Sequence, residues 1–278
     1  MRTGHLLMVM LMAAAVCCCD DDGTDGIPVL PVIEGWIDSD GYPVVMFTAS
    51  VTSDEAAASL IDKMIVWGKV TISDGSRTVV MTGSLADGYF PPYRYYTFDM
   101  KGEPGRTYTV VADYAELHAE ASCRMPFPTE ISSLRLAAIE GNDSLRTATL
   151  SFMAPEDCPA YYCVTVRDLL EKTRPYPAMM GTVVAETPGE EIEMPVYCPK
   201  NMLDTASYVS NFHVGSRLEV GLSRVEEPVY RFWTDYDNAV MFGGSQFINA
   251  SMSLRGNIQG GYGIWSARGT SYVYVDVE

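Results

Sequence analysis

The sequence predicts an all-β protein, and three observations lead there. Short runs rich in Val, Ile, Thr and Tyr recur along most of the chain, and such residues suit a pleated, half-buried strand. Turn-forming stretches separate them, as in Asp38-Ser39-Asp40-Gly41, Asp74-Gly75 and Glu103-Pro104-Gly105. One stretch alone, Glu226 to Met241, carries apolar residues at helical spacing. Hydrophobic residues make up 47% of the 278, enough for a sizeable core and too many for wholesale disorder.

The first residues stand apart from that pattern. Arg2 and His5 precede an apolar run from Leu6 to Val16, then come Cys17, Cys18 and Cys19, followed by Asp20, Asp21 and Asp22. A short basic start and an apolar core of about 7–15 residues describe a secretory signal, because a membrane span needs about 20. A cysteine at the cleavage point adds the lipoprotein reading, in which the sulfur is diacylated and the cysteine becomes the new N-terminus. Cys19 fits best, since the acidic stretch then lies directly behind the anchor and Cys18 supplies the small residue before the cut. Cys18 is the second choice, and Cys17 follows the bulky Val16. Residues 1–18 are therefore expected to be a signal peptide and 19–27 an acidic tether. Several alkyl chains together anchor a protein stably where one alone does not.

From Pro28 the strands follow in order. Val29 to Ile37, Tyr42 to Val51, Met64 to Ser73, Arg77 to Ser84, Thr107 to Tyr114 and Leu117 to Met125 are each expected to be β. Lys69 to Ser73 alternates before Asp74-Gly75 and the strand resumes at Arg77, a hairpin signal, because Asp and Gly tolerate the positive φ such turns demand. Within Val32 to Ile37, Glu34 and Trp36 share one face, with Gly35 between them leaving room for close packing. About seven short strands in about 100 residues predict an immunoglobulin-like sandwich over residues 28–126. Pro126-Phe127-Pro128 then marks a boundary.

A second β-rich domain is expected over residues 127–278. Its strands are Ser133 to Ile139, Arg146 to Met153, Tyr161 to Val166, Thr182 to Glu186, Arg217 to Val225, Gly263 to Ala267 and Tyr272 to Val277. The short helix starts at Glu226-Glu227-Pro228, where acids favour the dipole and proline lacks a donor that is not needed. Val229, Phe232, Trp233, Tyr236 and Val240 form its apolar stripe. Residues 168–180 and 198–214 are expected to be loops, and Gly260-Gly261 with Gly263 a tight turn into a final hairpin.

Three motifs carry a family resemblance: Val32-Ile33-Glu34-Gly35-Trp36-Ile37, Gly105-Arg106-Thr107-Tyr108-Thr109-Val110-Val111, and Asn257-Ile258-Gln259-Gly260-Gly261-Tyr262-Gly263-Ile264-Trp265. In that order they resemble the Bacteroidota lipoproteins catalogued as domain of unknown function 4249. The resemblance implies a lipid-anchored protein of the outer membrane, exposed at the cell surface, with a TonB-dependent transporter as candidate partner. It supplies no catalytic residues.

The formal charge of −17 excludes nucleic acid as a partner. Beyond the anchor region lie Cys123, Cys158, Cys163 and Cys198, which an exported compartment allows to form one or two disulfides or to remain buried thiols. Their spacing suits no zinc site. His118 is placed in a strand and His213 in a loop, and no G-x-S-x-G elbow accompanies them. Glu190, Glu191, Glu193, Asp235 and Asp237 match no twelve-residue calcium loop. No catalytic residue, metal or cofactor is expected.

The segment richest in binding chemistry is Tyr89-Phe90-Pro91-Pro92-Tyr93-Arg94-Tyr95-Tyr96. Pro-Pro keeps part of it in a loop or at an edge. In one reading Tyr89, Phe90, Tyr93, Arg94, Tyr95 and Tyr96 form a surface for a small ligand or a partner; in the other, Tyr93, Tyr95 and Phe98 alternate into the core. The expected function is a non-enzymatic accessory binding protein for a TonB-dependent nutrient transporter. The alternatives are an adhesion or envelope-scaffold lipoprotein and an extracellular glycan or peptide hydrolase.

Overall fold

Eight strands precede the Pro126-Phe127-Pro128 segment: β1 (Pro31–Asp38), β2 (Val44–Ala49), β3 (Lys69–Ser73), β4 (Thr78–Val80), β5 (Thr82–Leu85), β6 (Tyr93–Tyr96), β7 (Thr107–Tyr114) and β8 (Leu117–Arg124). After it come β9 (Ile131–Ile139), β10 (Asn142–Met153), β11 (Ala160–Asp168), β12 (Tyr176–Ala185), β13 (Glu191–Val196), β14 (Phe212–His213), β15 (Arg217–Val225), α1 (Glu227–Phe242) and β16 (Tyr262–Asp276). The computed structural model describes residues 28–50, 61–171, 173–200, 208–242 and 254–278. The expected signal peptide and tether, Cys19 included, lie outside the described residues. The fold is all-β with one short helix among the described residues.

One eight-stranded sheet, in the order β12-β11-β15-β16-β1-β2-β6-β5, runs through the whole molecule. Two smaller sheets cover it. The sheet β4-β3-β7-β8 shares a core with β1, β2, β6 and the first half of β16, through Ile33, Ile37, Val45, Phe47, Val70, Ile72, Tyr108, Val110 and Trp265. The sheet of β9, β10, β13 and β14 packs on β11, β15 and the second half of β16, through Leu150, Phe152, Tyr162, Val164, Leu218, Val220 and Leu222. Each half is thus a sandwich, and period-2 alternation sends one side chain inward and the next to the opposite face.

The last strand joins the halves. Val32 to Asp38 of β1 pair in parallel with Tyr262 to Arg268, and Arg217 to Arg224 of β15 pair antiparallel with Asp276 back to Gly269. The expected boundary falls between β8 and β9, yet the first sandwich is completed only by residues from the far end of the chain. The two strands expected after Gly263 are therefore one, and no final hairpin forms there. Gly263, at φ +107, sits where a Cβ would meet the Ile33 carbonyl oxygen at 1.9 Å, so the glycine admits the neighbouring strand.

Other differences also have local causes. The expected strand Arg77 to Ser84 is split at Met81, where the chain crosses from one sheet to the other; Met81 is buried and donates its N–H to the Val70 carbonyl. Residues 176–180, expected as loop, begin β12, and residues 212–213 form the short β14. Residues 201–207 of the other expected loop lie outside the described residues. Helix α1 packs Val229 and Phe232 with Cys163, Val225 and Ile264 on the outer face of the large sheet. The Glu226 carboxylate accepts the Arg124 N–H at 3.0 Å, tying the helix start to β8.

Candidate partner-binding face

Alternation along β1, β2 and β6 decides which side chains reach the outer face of the large sheet. Ile33, Ile37, Val45, Phe47 and Tyr95 point into the core, so Glu34, Trp36, Asp38, Met46, Arg94 and Tyr96 point away from it. Gly35 lies on the inward side, where a Cβ would stand 2.9 Å from the Trp265 ring, so the expected close approach is made by that indole.

Two connections lie across this outer face. The β5–β6 connection brings Tyr89, and the β11–β12 connection brings Arg174, with Tyr176 following at the start of β12. They touch at Gly88, whose carbonyl accepts the Arg174 N–H at 3.4 Å and the Tyr176 hydroxyl at 3.3 Å. The Arg174 guanidinium forks onto Glu34, Nη1 to Oε1 at 2.5 Å and Nη2 to Oε2 at 3.1 Å. Arg268 forks onto Asp38 at 2.7 and 2.7 Å, and the Thr270 hydroxyl also donates to Asp38 at 2.7 Å. Burial works against both guanidinium charges, but the adjoining carboxylates outweigh it and hold both pKa values above the ordinary one.

Aromatic rings alternate with these cations. Arg174 Cζ lies 5.4 Å from the Trp36 ring and 4.6 Å from the Tyr176 ring, and Arg268 Cζ lies 5.3 Å from Trp36. Tyr89 is parallel to Trp36, with centroids 6.5 Å apart. Arg94 Cζ sits 5.0 Å from Tyr89 and 5.2 Å from Tyr96, and its Nη1 donates to the Tyr89 oxygen at 3.0 Å. The rings continue outward through edge contacts, Tyr96 to Phe98 at 5.2 Å and Phe98 to Tyr42 at 5.0 Å. Phe98 is 69% exposed, so an aromatic track leads from the buried Trp36 to solvent.

Of the six residues expected at a binding surface, Tyr89, Arg94 and Tyr96 come together on this face. Phe90 is exposed at the connection before β6. Tyr93 and Tyr95 turn inward instead: Tyr93 donates to the Val66 carbonyl, and the Tyr95 hydroxyl donates to Ile65 O at 2.6 Å and accepts the Gly68 N–H at 2.9 Å. Burial pushes the Tyr95 hydroxyl pKa up to about 12. Trp36, Tyr42, Phe98, Arg174, Tyr176 and Arg268 were not singled out for this face from sequence. Trp36 had a signal, since it shares a strand face with Glu34; Arg174 and Arg268 come from a presumed loop and a distant strand.

Several charged groups pair away from this face. Arg167 pairs with Glu219, Arg255 forks onto Asp235, Arg135 pairs with Glu193, and His118 bonds Asp113 at 2.7 Å. Asp237 on α1 accepts the N–H groups of Met180 and Gly181, and burial raises its pKa to about 6. Cys123, Cys158, Cys163 and Cys198 are free thiols. Among the described residues no group of three or more His, Cys, Asp and Glu is placed to hold a metal ion. An open cleft of about 380 Å³ lies at the seam of the two sandwiches, between Asp38, Asp40, Pro104, Pro128 and Tyr272. Comparison with known proteins finds no matching family model and no matching curated protein.

Proposed function

We propose that this protein is an outer-membrane surface lipoprotein that uses the aromatic–arginine face to bind, as a non-enzymatic accessory to a TonB-dependent nutrient transporter. The observation that carries the binding part is the aromatic track from Trp36 and Tyr89 through Tyr96 to the exposed Phe98 and Tyr42. Such rings offer large contact area at low cost in conformational entropy. The carboxylates of the same face, Glu34 and Asp38, are each forked by an arginine, which suits a rigid platform better than proton transfer. Membrane attachment rests on the leader and Cys19, and the transporter on the three-motif resemblance. A lipid tether would keep this face at high effective concentration beside its partner.

The test is affinity capture of the tagged protein from detergent-solubilised outer membranes, read by mass spectrometry, with Phe98→Ser/Tyr42→Ser as the comparison. A stoichiometric TonB-dependent transporter, reduced in the double variant, is the expected result. Recovery of the protein alone across mild detergents overturns the transporter reading. Adhesion then takes its place, supported by the exposed Trp67 (86%), Leu85 (77%) and Val80 (62%) of the first sandwich.

A further inference from the structure

The chain carries a formal charge of −17, yet its aromatic face keeps a positive surplus. Arg94, Arg174 and Arg268 meet there with the two carboxylates Glu34 and Asp38. Arg174 and Arg268 each hold one of those acids. Arg94 is the surplus cation: its polar contact is the Tyr89 phenol, and among the described residues it ion-pairs with no carboxylate. Asp87, on the same connection as Tyr89, is exposed to solvent.

Two donors here have nowhere to go. The Nε atoms of Arg94 and Arg174 are buried and have no hydrogen-bond acceptor. Buried N–H groups are almost always paired, because leaving one dry forfeits its bond to water. Both guanidinium groups lie against the same ring pair, Arg94 over Tyr89 at 5.0 Å and Arg174 over Trp36 at 5.4 Å. The rings are parallel within 1°. The connection that carries Tyr89 is held to the second sandwich by the two long bonds to Gly88, at 3.4 and 3.3 Å. Bonds of that length are weak, so the flap's tie to the second sandwich is loose. Its firmer contacts are the 3.0 Å Arg94–Tyr89 bond and the Trp36–Tyr89 stack, which a ligand would replace.

We propose that Trp36, Tyr89 and Arg94 form a site for an organic anion with a flat apolar body, an aromatic carboxylate. Its oxygens accept from the Arg94 guanidinium and the Tyr89 hydroxyl, and its ring enters between Trp36 and Tyr89 once the flap lifts. An uncompensated guanidinium attracts a carboxylate and repels an amine, and the flat walls favour a ring over an alkyl chain. The proposal rests on the reading of this face as a binding face and gives it a ligand class.

The experiment titrates the full chain by calorimetry with 1-naphthoate, and separately with 1-naphthylmethylamine, which has the same ring and the opposite charge. Saturable naphthoate binding at sub-millimolar concentration, at least tenfold tighter than the amine, is expected. Arg94→Gln should lose it at least tenfold, and Arg94→Lys should retain part of it. Tyr114→Phe, a change at an exposed ring elsewhere on the first sandwich, should leave it unchanged. Equal binding of acid and amine overturns the proposal in favour of a merely apolar patch, and this comparison needs no variant to fold. Absence of naphthoate binding up to 10-fold above millimolar concentration also overturns it. Capture of the transporter alongside either failure would leave the proposed function standing and remove only the ligand class.

Discussion

The ion pair between Asp38 and Arg268 joins β1 to β16, and its removal tests how the two sandwiches are held together. The pair is 9% and 8% exposed, and it is closed by two 2.7 Å bonds with a third from Thr270. Arg268→Met leaves the Asp38 carboxylate buried with only neutral hydroxyl donors, those of Thr270 and Tyr272. Asp38→Leu leaves a buried guanidinium over Trp36 with no acid. Either variant should cost about 3–5 kcal/mol, because the surviving charge keeps its desolvation penalty after losing its counter-ion. The double variant Asp38→Leu/Arg268→Met removes both charges and keeps an apolar fill against Trp36. It should lie within about 1 kcal/mol of the natural chain. Trp36 still has Arg174 at its ring, and Thr270 still has Ser223 at 2.9 Å.

Urea unfolding followed by tryptophan fluorescence reads these numbers. With a slope of about 3 kcal/mol per M, each single variant lowers the midpoint by about 1–1.7 M, and the double variant by no more than about 0.3 M. A single variant within 1 kcal/mol of the natural chain would show a pair worth no more than a surface one. A double variant as weak as the worse single one would refute the reasoning from buried charge.

Four further outcomes are expected. A fragment spanning residues 28–126 should stay unfolded by circular dichroism, because Trp265, fully buried in the first core, comes from β16; a cooperative melt of the fragment would refute this. The Asp237 pKa is raised by burial to about 6, so the native state holds its proton more tightly than the unfolded chain, and stability should fall as pH rises from about 4 to about 6. The loss should be about 2 kcal/mol after allowing for solvent screening, and Asp237→Asn should abolish that slope. Asp74 works in the opposite sense: Ser76 and Arg77 donors lower its pKa to about 2, so its contribution holds above about pH 4 and disappears toward pH 2, and Asp74→Asn should flatten that acid limb. Burial pushes the Cys123 thiol up, and Cys163 up to about 12, so iodoacetamide at pH 8 should leave both peptides unmodified in the native protein and alkylate them in urea.

How much of this was legible depends on the range of the interaction. Strand identity was local: Thr107 to Tyr114 and Arg217 to Val225 are bounded as the alternation of side chains suggested, and the helix begins within one residue of its acidic start. Pairing partners were not local. Nothing in Gly263 to Ala267 announces that it will lie parallel to β1, more than 200 residues upstream, because period-2 alternation specifies a face and not a neighbour. The split at Met81 was hidden for a related reason, since a strand that changes sheets keeps the same composition on both sides of the crossing. The site followed the same rule. The Tyr93–Tyr96 strand could be divided by alternation alone into Tyr93 and Tyr95 inside and Arg94 and Tyr96 outside, whereas Arg174 arrives from a connection whose path depends on the completed fold.

The polar character of the outer face follows from that topology. A central strand covered on both sides ordinarily reads as continuous Val, Ile and Leu. Residues 264 to 270 are buried throughout, yet they include Ser266, Arg268 and Thr270. Arg268 and Thr270 bond Asp38 on β1, and Thr270 also bonds Ser223 on β15, the strands on either side of β16. The polar contacts therefore lie where β16 passes from its parallel neighbour to its antiparallel one. An apolar strand could slide by two residues at that point and still bury its side chains, whereas the Asp38–Arg268 fork fits one register only. The same fork fixes one side of the Trp36 ring, on whose surroundings the proposed ligand site depends. The pair therefore shapes the binding face more than it stabilises the fold. The Asp38→Leu/Arg268→Met chain should fold within about 1 kcal/mol of the natural protein but bind naphthoate less tightly, because one side of the Trp36 ring has changed.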